Sequence, residues 1–213
     1  SDLFVTGSNA NMLSRELGTH LTGRYCQIEL YPFSFPEFLK IKEVYPQQKD
    51  FYTTTGKSIL KRYFDEYVKT GGFPRYIKDP NTNYLSTLYE NIIYKDVVTR
   101  NKLNGERELL EMVYYLASNA TKRFSYTSLA KTIGIKHTET VKNYLEYLEN
   151  TYLLFQVMKF DWSVKKQMNN QKKVYFIDNA IIGKVGFNAT DNIGQLLENL
   201  VFIEIKRDRK SVV

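Results

Sequence analysis

The spacing of apolar side chains changes character along the chain and divides it into blocks. Residues 2–7 alternate with β-prone side chains and predict a strand. Asn9 or Asn11 can cap a short helix that carries Met12, Leu13 and Leu17, with Gly18 as its stop. Residues 25–31 read as a second strand, ended by Pro32. Ser34, Pro36 and Glu37 then form a capping-box start for a helix over residues 35–42. A chain that opens on a buried strand implies further chain upstream, because an unpaired central strand leaves buried backbone groups unsatisfied.

After Asp50 the period becomes helical. Residues 57–69 place Ile59, Leu60, Tyr63, Phe64, Tyr67 and Val68 at helical spacing, and Gly71-Gly72 ends the run. Phe73-Pro74 is expected to be extended or turned. Residues 83–101 predict one long helix, and residues 106–118 another. The clearest local pattern lies in residues 125–148. It reads as a helix containing Leu129 and Ile133, a tight turn at Gly134, and a second helix packed through Val141, Leu145 and Leu148. Two strand-like runs follow, residues 152–160 and 173–177, joined by a Lys/Gln/Asn-rich loop. Together these read as a winged helix-turn-helix. Residues 194–207 are a last helix, apolar over a broad face.

Composition narrows the function classes. With 213 residues, 43% apolar and 15% aromatic, the chain can bury a substantial core, so global disorder is excluded. The one cysteine, Cys26, lies in an apolar alternating run and reads as a small buried hydrophobe; an internal disulfide framework is impossible, in keeping with a reducing compartment. The sequence contains no secretory leader or membrane-length apolar run, so the expectation is a cytoplasmic protein without a membrane partner. The net charge of +7 favours an anionic partner.

Double-stranded DNA is the expected partner of the helix-turn-helix. Lys136, His137, Thr138, Thr140, Lys142 and Asn143 lie on the side of the second helix opposite its apolar residues, where a major groove would be met. The wing adds Lys165, Lys166, Lys172 and Lys173, which can follow phosphates without reading sequence. Against this, Glu139, Glu146 and Glu149 dilute the helix, and the same module can serve as a protein-docking surface.

Three motif-like stretches fail on context. Thr55-Gly56-Lys57-Ser58 mimics the end of a phosphate-binding loop, yet Phe51 stands where the first glycine is required and no strand leads in. Val174-Tyr175-Phe176-Ile177-Asp178 resembles the acidic strand of an ATPase, but Asn179 replaces the second acid. Glu204-Ile205-Lys206 mimics a nuclease motif that needs a strand; on a helix the two side chains lie ~200° apart. With His20, His137 and Cys26 as the only such ligands, no zinc site is expected.

Several stretches taken together carry a family resemblance: Thr6-Gly7-Ser8-Asn9, Leu13-Ser14, Leu21-Thr22-Gly23-Arg24, and Pro32-Phe33-Ser34-Phe35-Pro36-Glu37-Phe38. Gly71-Gly72-Phe73-Pro74 and Tyr94-Lys95-Asp96-Val97-Val98 join them. The chain resembles AAA-like P-loop ATPases of bacteria and archaea whose nucleotide domain is joined to a C-terminal DUF4143 region. The resemblance implies an α+β, mainly helical fold with four parts. Residues 1–50 would be the last strands of a P-loop ATPase core, 51–105 a helical connector, 106–188 the winged helix-turn-helix, and 189–213 the first helix of a truncated restriction-endonuclease-like domain. It implies ATP and Mg²⁺ in an intact parent, with the phosphate loop in a missing N-terminal segment, so that this chain alone would be inactive. Ser8 and Asn9, with Thr6 in reserve, would help place the attacking water, unless they only turn the strand into its helix. Arg24 would act as an arginine finger, in cis or on a neighbouring subunit of a homo-oligomer, unless it pairs with a surface carboxylate. Glu198 would be an accessory acid of a complete nuclease-like domain, for which this chain supplies no partner residues. The rival reading is a non-enzymatic DNA-binding or docking module that keeps the ATPase remnant as scaffold.

Overall fold

The computed structural model describes residues 28–187 and 192–208. Ser8, Asn9, Arg24, Cys26 and the elements expected before residue 28 lie outside the described residues. Residues 28–31, the end of the expected second strand, form no strand. Helix α1 (Phe35–Ile41) starts as its sequence predicts, with the Ser34 N–H (2.8 Å) and hydroxyl (2.6 Å) both donating to the Glu37 carboxylate. Those bonds hold the Glu37 carboxyl below its usual range. A 3₁₀ turn (Gln48–Phe51) leads to α2 (Thr54–Thr70).

The next segment departs from expectation twice. Pro74 does not extend the chain but opens a short helix, α3 (Pro74–Lys78), because its fixed φ and missing N–H suit a first helical position. The long helix expected over residues 83–101 is divided: α4 (Tyr84–Glu90) runs on into a π-helical stretch over Asn91–Thr99. The wider turn brings Ile93, Val97 and Val98 inward together, and the Thr99 hydroxyl donates to the Tyr94 carbonyl five residues back at 2.7 Å.

Helix α5 (Glu106–Ser118) buries Leu109, Met112, Val113 and Leu116 at helical spacing. After a two-residue strand, β1 (Arg123–Phe124), the Ser125 hydroxyl accepts from Ser128 N–H and starts α6 (Tyr126–Ile133). Gly134 ends α6 in the left-handed region at φ 82°. Helix α7 (Thr138–Asn150) turns Val141, Leu145 and Leu148 into the core. Strand β2 (Leu154–Met158) and β3 (Lys172–Phe176) are joined by a loop that contains a short helix, α8 (Val164–Asn169), in place of the irregular polar loop that its composition predicts. Helices α9 (Asn179–Val185) and α10 (Ile193–Asp208) follow.

The fold is therefore mainly helical, α+β, with one three-stranded antiparallel sheet of order β1-β3-β2 among the described residues. Strand β3 is covered on both faces. Val174 and Phe176 face the main core with Leu145, Leu154, Ile181 and Leu196. Tyr175 faces the other way and stacks on Phe202 of α10, ring centroids 4.1 Å apart and 13° from parallel. A smaller core, Phe38, Leu39, Tyr67 and Ile77, joins α1 to α2 and α3. Each fully buried side chain of this size contributes ~1.5–3 kcal/mol by leaving water. No helix among the described residues is long and apolar enough to cross a membrane.

Candidate functional site

The surface predicted to meet DNA is only partly a free surface. Lys136, His137, Thr138, Lys142 and Asn143 are exposed at the start of α7, and Thr140 is half-buried. Lys142 is already engaged, with its Nζ 2.9 Å from Glu139. Lys165 and Lys166 on α8 are exposed. Lys172 is not available in the same way. It is buried, its Nζ donates to the carbonyls of Met168 and Asn170 (both 3.0 Å), and it lies 4.3 Å from the centre of the Tyr126 ring. Burial, with Lys142 nearby, holds its ammonium below the usual range. Its work is to fasten the end of α8 over α6. Lys173 points to the opposite face of β3, where its Nζ donates to Glu198 at 2.6 Å. Glu198 also accepts from the Tyr175 hydroxyl at 2.8 Å, so this carboxylate braces α10 against β3. Burial opposes its ionisation, but the hydrogen bonds from Lys173 and Tyr175 outweigh that and lower its pKa.

The resemblances rejected on sequence grounds have structural explanations. The Gly56 N–H, which a phosphate loop would offer to its ligand, donates to Thr53 Oγ1 at 3.2 Å and starts α2. Glu204 and Lys206 lie on α10, where Glu204 pairs with Arg207 and the Lys206 Nζ lies 5.2 Å from the centre of the Phe155 ring.

One buried acid among the described residues is a group to which the sequence pattern assigns no task. Asp178 is buried directly after β3. One of its carboxylate oxygens accepts from Gly72 N–H and the other from Ala180 N–H, each at 2.7 Å. The second bond caps α9; the first reaches across the fold to the Gly71-Gly72 turn. Gly71 has φ 70°, and a Cβ there would lie 1.7 Å from Asp178 Oδ1. A Cβ on Gly72 would lie 2.2 Å from the Phe33 carbonyl oxygen. Close approach on both sides is thus why two consecutive glycines stand before Phe73-Pro74. Burial pushes the Asp178 carboxyl up to about 7, against the two backbone N–H donors and Arg207, which favour the charged form.

Two asparagines extend this junction. Asn199 pairs with the backbone of Phe176 as a neighbouring strand would: its Oδ1 accepts from Phe176 N–H (2.8 Å) and its Nδ2 donates to the Phe176 carbonyl (3.0 Å). The Asn199 Nδ2 also donates to Asn179 Oδ1 at 3.0 Å, and the Asn179 Nδ2 donates to the carbonyls of Val68 and Leu196. The network leaves no buried side-chain polar atom without a partner among the described residues. On the α1 side, Phe33 N–H donates to the Gly72 carbonyl (2.8 Å), and the Tyr67 hydroxyl donates to the Phe33 carbonyl (2.7 Å). Arg207 donates to the Pro32 carbonyl. Between these groups lies a cavity of about 10 Å³, room for one water molecule.

This assembly, a three-stranded antiparallel sheet enclosed by helices and locked through a buried polar junction, has relatives of similar sequence. The chain belongs to a family described as a domain of unknown function, DUF8612, whose model matches residues 61–191. Residues 1–39 match a model described as an AAA domain. The motif resemblance implied DUF4143 for the C-terminal region, whereas the family matched there is DUF8612. An uncharacterised protein of Haemophilus influenzae is 32% identical over 223 residues, covering 100% of this chain and 52% of that protein. One from Methanocaldococcus jannaschii is 35% identical over 214 residues, covering 97% of this chain and 47% of its own length. A second from the same archaeon is 27% identical over 226 residues, covering 94% and 47%. The chain spans about half the length of these relatives. No solved structure matches it.

Proposed function

We propose that the chain is the DNA-engaging half of an AAA-like ATPase, and that the Gly72–Asp178 junction couples its two ends. The observation that carries this reading is the AAA match over residues 1–39, which ends inside α1, the helix fastened to the junction. In this reading α5, β1, α6, α7, β2 and β3 form a winged helix. Helix α7 lies in the major groove, with Lys136, His137, Thr138, Thr140, Lys142 and Asn143 toward DNA, and the loop around α8 is the wing. ATP with Mg²⁺, held by the intact parent, supplies the hydrolysable γ-phosphoryl. Ser8 and Asn9 orient the attacking water, and Arg24 offsets charge on the transferring group, in cis or from a neighbouring subunit.

The coupling follows a short path. A shift of residues 28–39 moves Phe33, Phe33 is bonded to Gly72, Gly72 to Asp178, and Asp178 stands two residues past the end of β3. In the full-length protein, Arg24→Ala is expected to slow ATP turnover by ~10³-fold. Duplex affinity, read by fluorescence anisotropy, is expected to differ between ADP and a non-hydrolysable ATP analogue. Normal turnover in the variant, together with DNA affinity indifferent to nucleotide, would overturn the coupling. Absence of ATP turnover by the wild-type full-length protein, with DNA affinity again indifferent to nucleotide, would favour the non-enzymatic docking module.

A further inference from the structure

We infer that the loop between β2 and β3 is a stacking site for an unpaired nucleic-acid strand. The inference goes beyond duplex contact by α7 and gives the wing loop of that reading a ligand of its own. Phe160 is 66% exposed and Trp162 is 94% exposed, with Val164 and Met168 also open to solvent. The two rings meet edge to face, centroids 5.2 Å apart and 77° between planes, and the indole keeps almost all of its surface open to solvent. Apolar surface of this kind on a loop tip calls for a partner.

Charge and polarity identify the partner. Residues 159–173 carry five lysines against one acid, Asp161. Asp161 is turned inward to the loop backbone, accepting from Ser163 N–H at 2.9 Å. Lys159, Lys165 and Lys166 are exposed beside the rings, in reach of a phosphate backbone that passes over them. Lys172 is spent on the carbonyls of Met168 and Asn170, and Lys173 on Glu198 of α10. The end of α8 is thus fastened before any ligand arrives. Ser163, Gln167, Asn170 and Gln171 in the same loop offer hydrogen bonds to base edges, and would be costly to sink among lipid chains. Exposed aromatic faces with lysines alongside are the chemistry of single-strand binding. Any base can stack there, and a duplex hides its base faces.

Trp162 is the only tryptophan of the chain, so its emission reports this site alone. The 213-residue chain is titrated at low salt with an oligothymidylate of about 16 nucleotides. The same titration is run with a duplex and with phosphatidylcholine/phosphatidylserine vesicles. Quenching by the single strand is expected, with a salt slope of about −2 for three phosphate contacts. By anisotropy of a labelled oligonucleotide, Trp162→Ala is expected to weaken binding about tenfold and Trp162→Phe to retain most of it. Lys165→Ala/Lys166→Ala is expected to reduce the salt slope by about 1.4. Trp162 packs so little that these variants keep the wild-type melting curve. No quenching by the oligonucleotide, or anisotropy unchanged in Trp162→Ala, overturns the site. So does a blue shift with vesicles in place of quenching, which would assign the loop to a membrane surface. Duplex binding that survives any of these results leaves the winged-helix reading standing.

Discussion

Replacing Asp178 by asparagine tests the junction through the pH dependence of stability. An amide can accept from one of the two N–H groups of Gly72 and Ala180, but it turns its own NH₂ toward the other. That leaves a buried backbone donor and an amide donor unpaired, at ~1–3 kcal/mol each; the uncharged wild-type acid has its own O–H to place, which offsets part of this, so a net loss of about 2–4 kcal/mol is expected when Asp178 is uncharged. The wild-type carboxyl titrates at about 7 when folded, against 3.8 for the ordinary group. Between these values the folded state holds a proton that the unfolded state has released, so stability falls as pH rises. The contribution is fully present below pH ~4 and is lost by pH ~7, at ~1.4 kcal/mol per pH unit or ~4 kcal/mol in all. The amide of Asp178→Asn cannot titrate, and every other group is common to both proteins. The difference in unfolding free energy, from urea titrations followed by circular dichroism between about pH 4.5 and 8.5, is therefore expected to be largest in acid and to have vanished or reversed sign by pH ~7. A difference that stays constant, or grows with pH, would refute a carboxyl held neutral by burial.

Two further substitutions probe the same contacts from the other side. Gly71→Ala drives a Cβ against the Asp178 carboxylate and forces φ 70° on an L-residue, so a loss of ~2–4 kcal/mol is expected in the same urea titration. Wild-type stability would show that the turn can move away. Asn199→Leu removes three hydrogen bonds, and should cost roughly 3 kcal/mol while collapsing hydrogen-exchange protection at the Phe176 amide. Protection that persists there would mean another group takes over the pairing.

Helices α5, α6 and α7 are legible in the sequence because their signals are local. Leu109, Met112 and Leu116 recur at helical spacing, Ser125 caps, and Gly134 stops. The π-helical stretch is not, because the extra residue per turn is selected by the core that Ile93, Val97 and Val98 enter together. Strand β1 is too short to carry a period, and it exists by pairing with Lys172 and Lys173. The lysines expected to meet DNA show the same limit. Charge can be counted along the β2–β3 loop, but Glu198, which engages Lys173, lies 25 residues further on, and the carbonyls that hold Lys172 have no sequence signature. The junction is hardest of all to foresee, since Gly72 and Asp178 are 106 residues apart. The trace it leaves is a Gly-Gly pair before Phe-Pro and an acid after a mostly apolar strand, a pattern that imitates an ATPase motif instead.

The pairing of Asn199 with Phe176 has a consequence for where the chain can be cut. The DUF8612 match ends at residue 191, before α10 begins at Ile193. Beyond Lys172 and Lys173, β1 no longer accompanies β3, and a side chain from α10 occupies the open edge at Phe176. A protein trimmed to the family boundary would bare that edge together with the Tyr175 ring. Bare strand edges recruit other strands. The helix that lies outside the family's limits is what closes this stretch of the β3 edge.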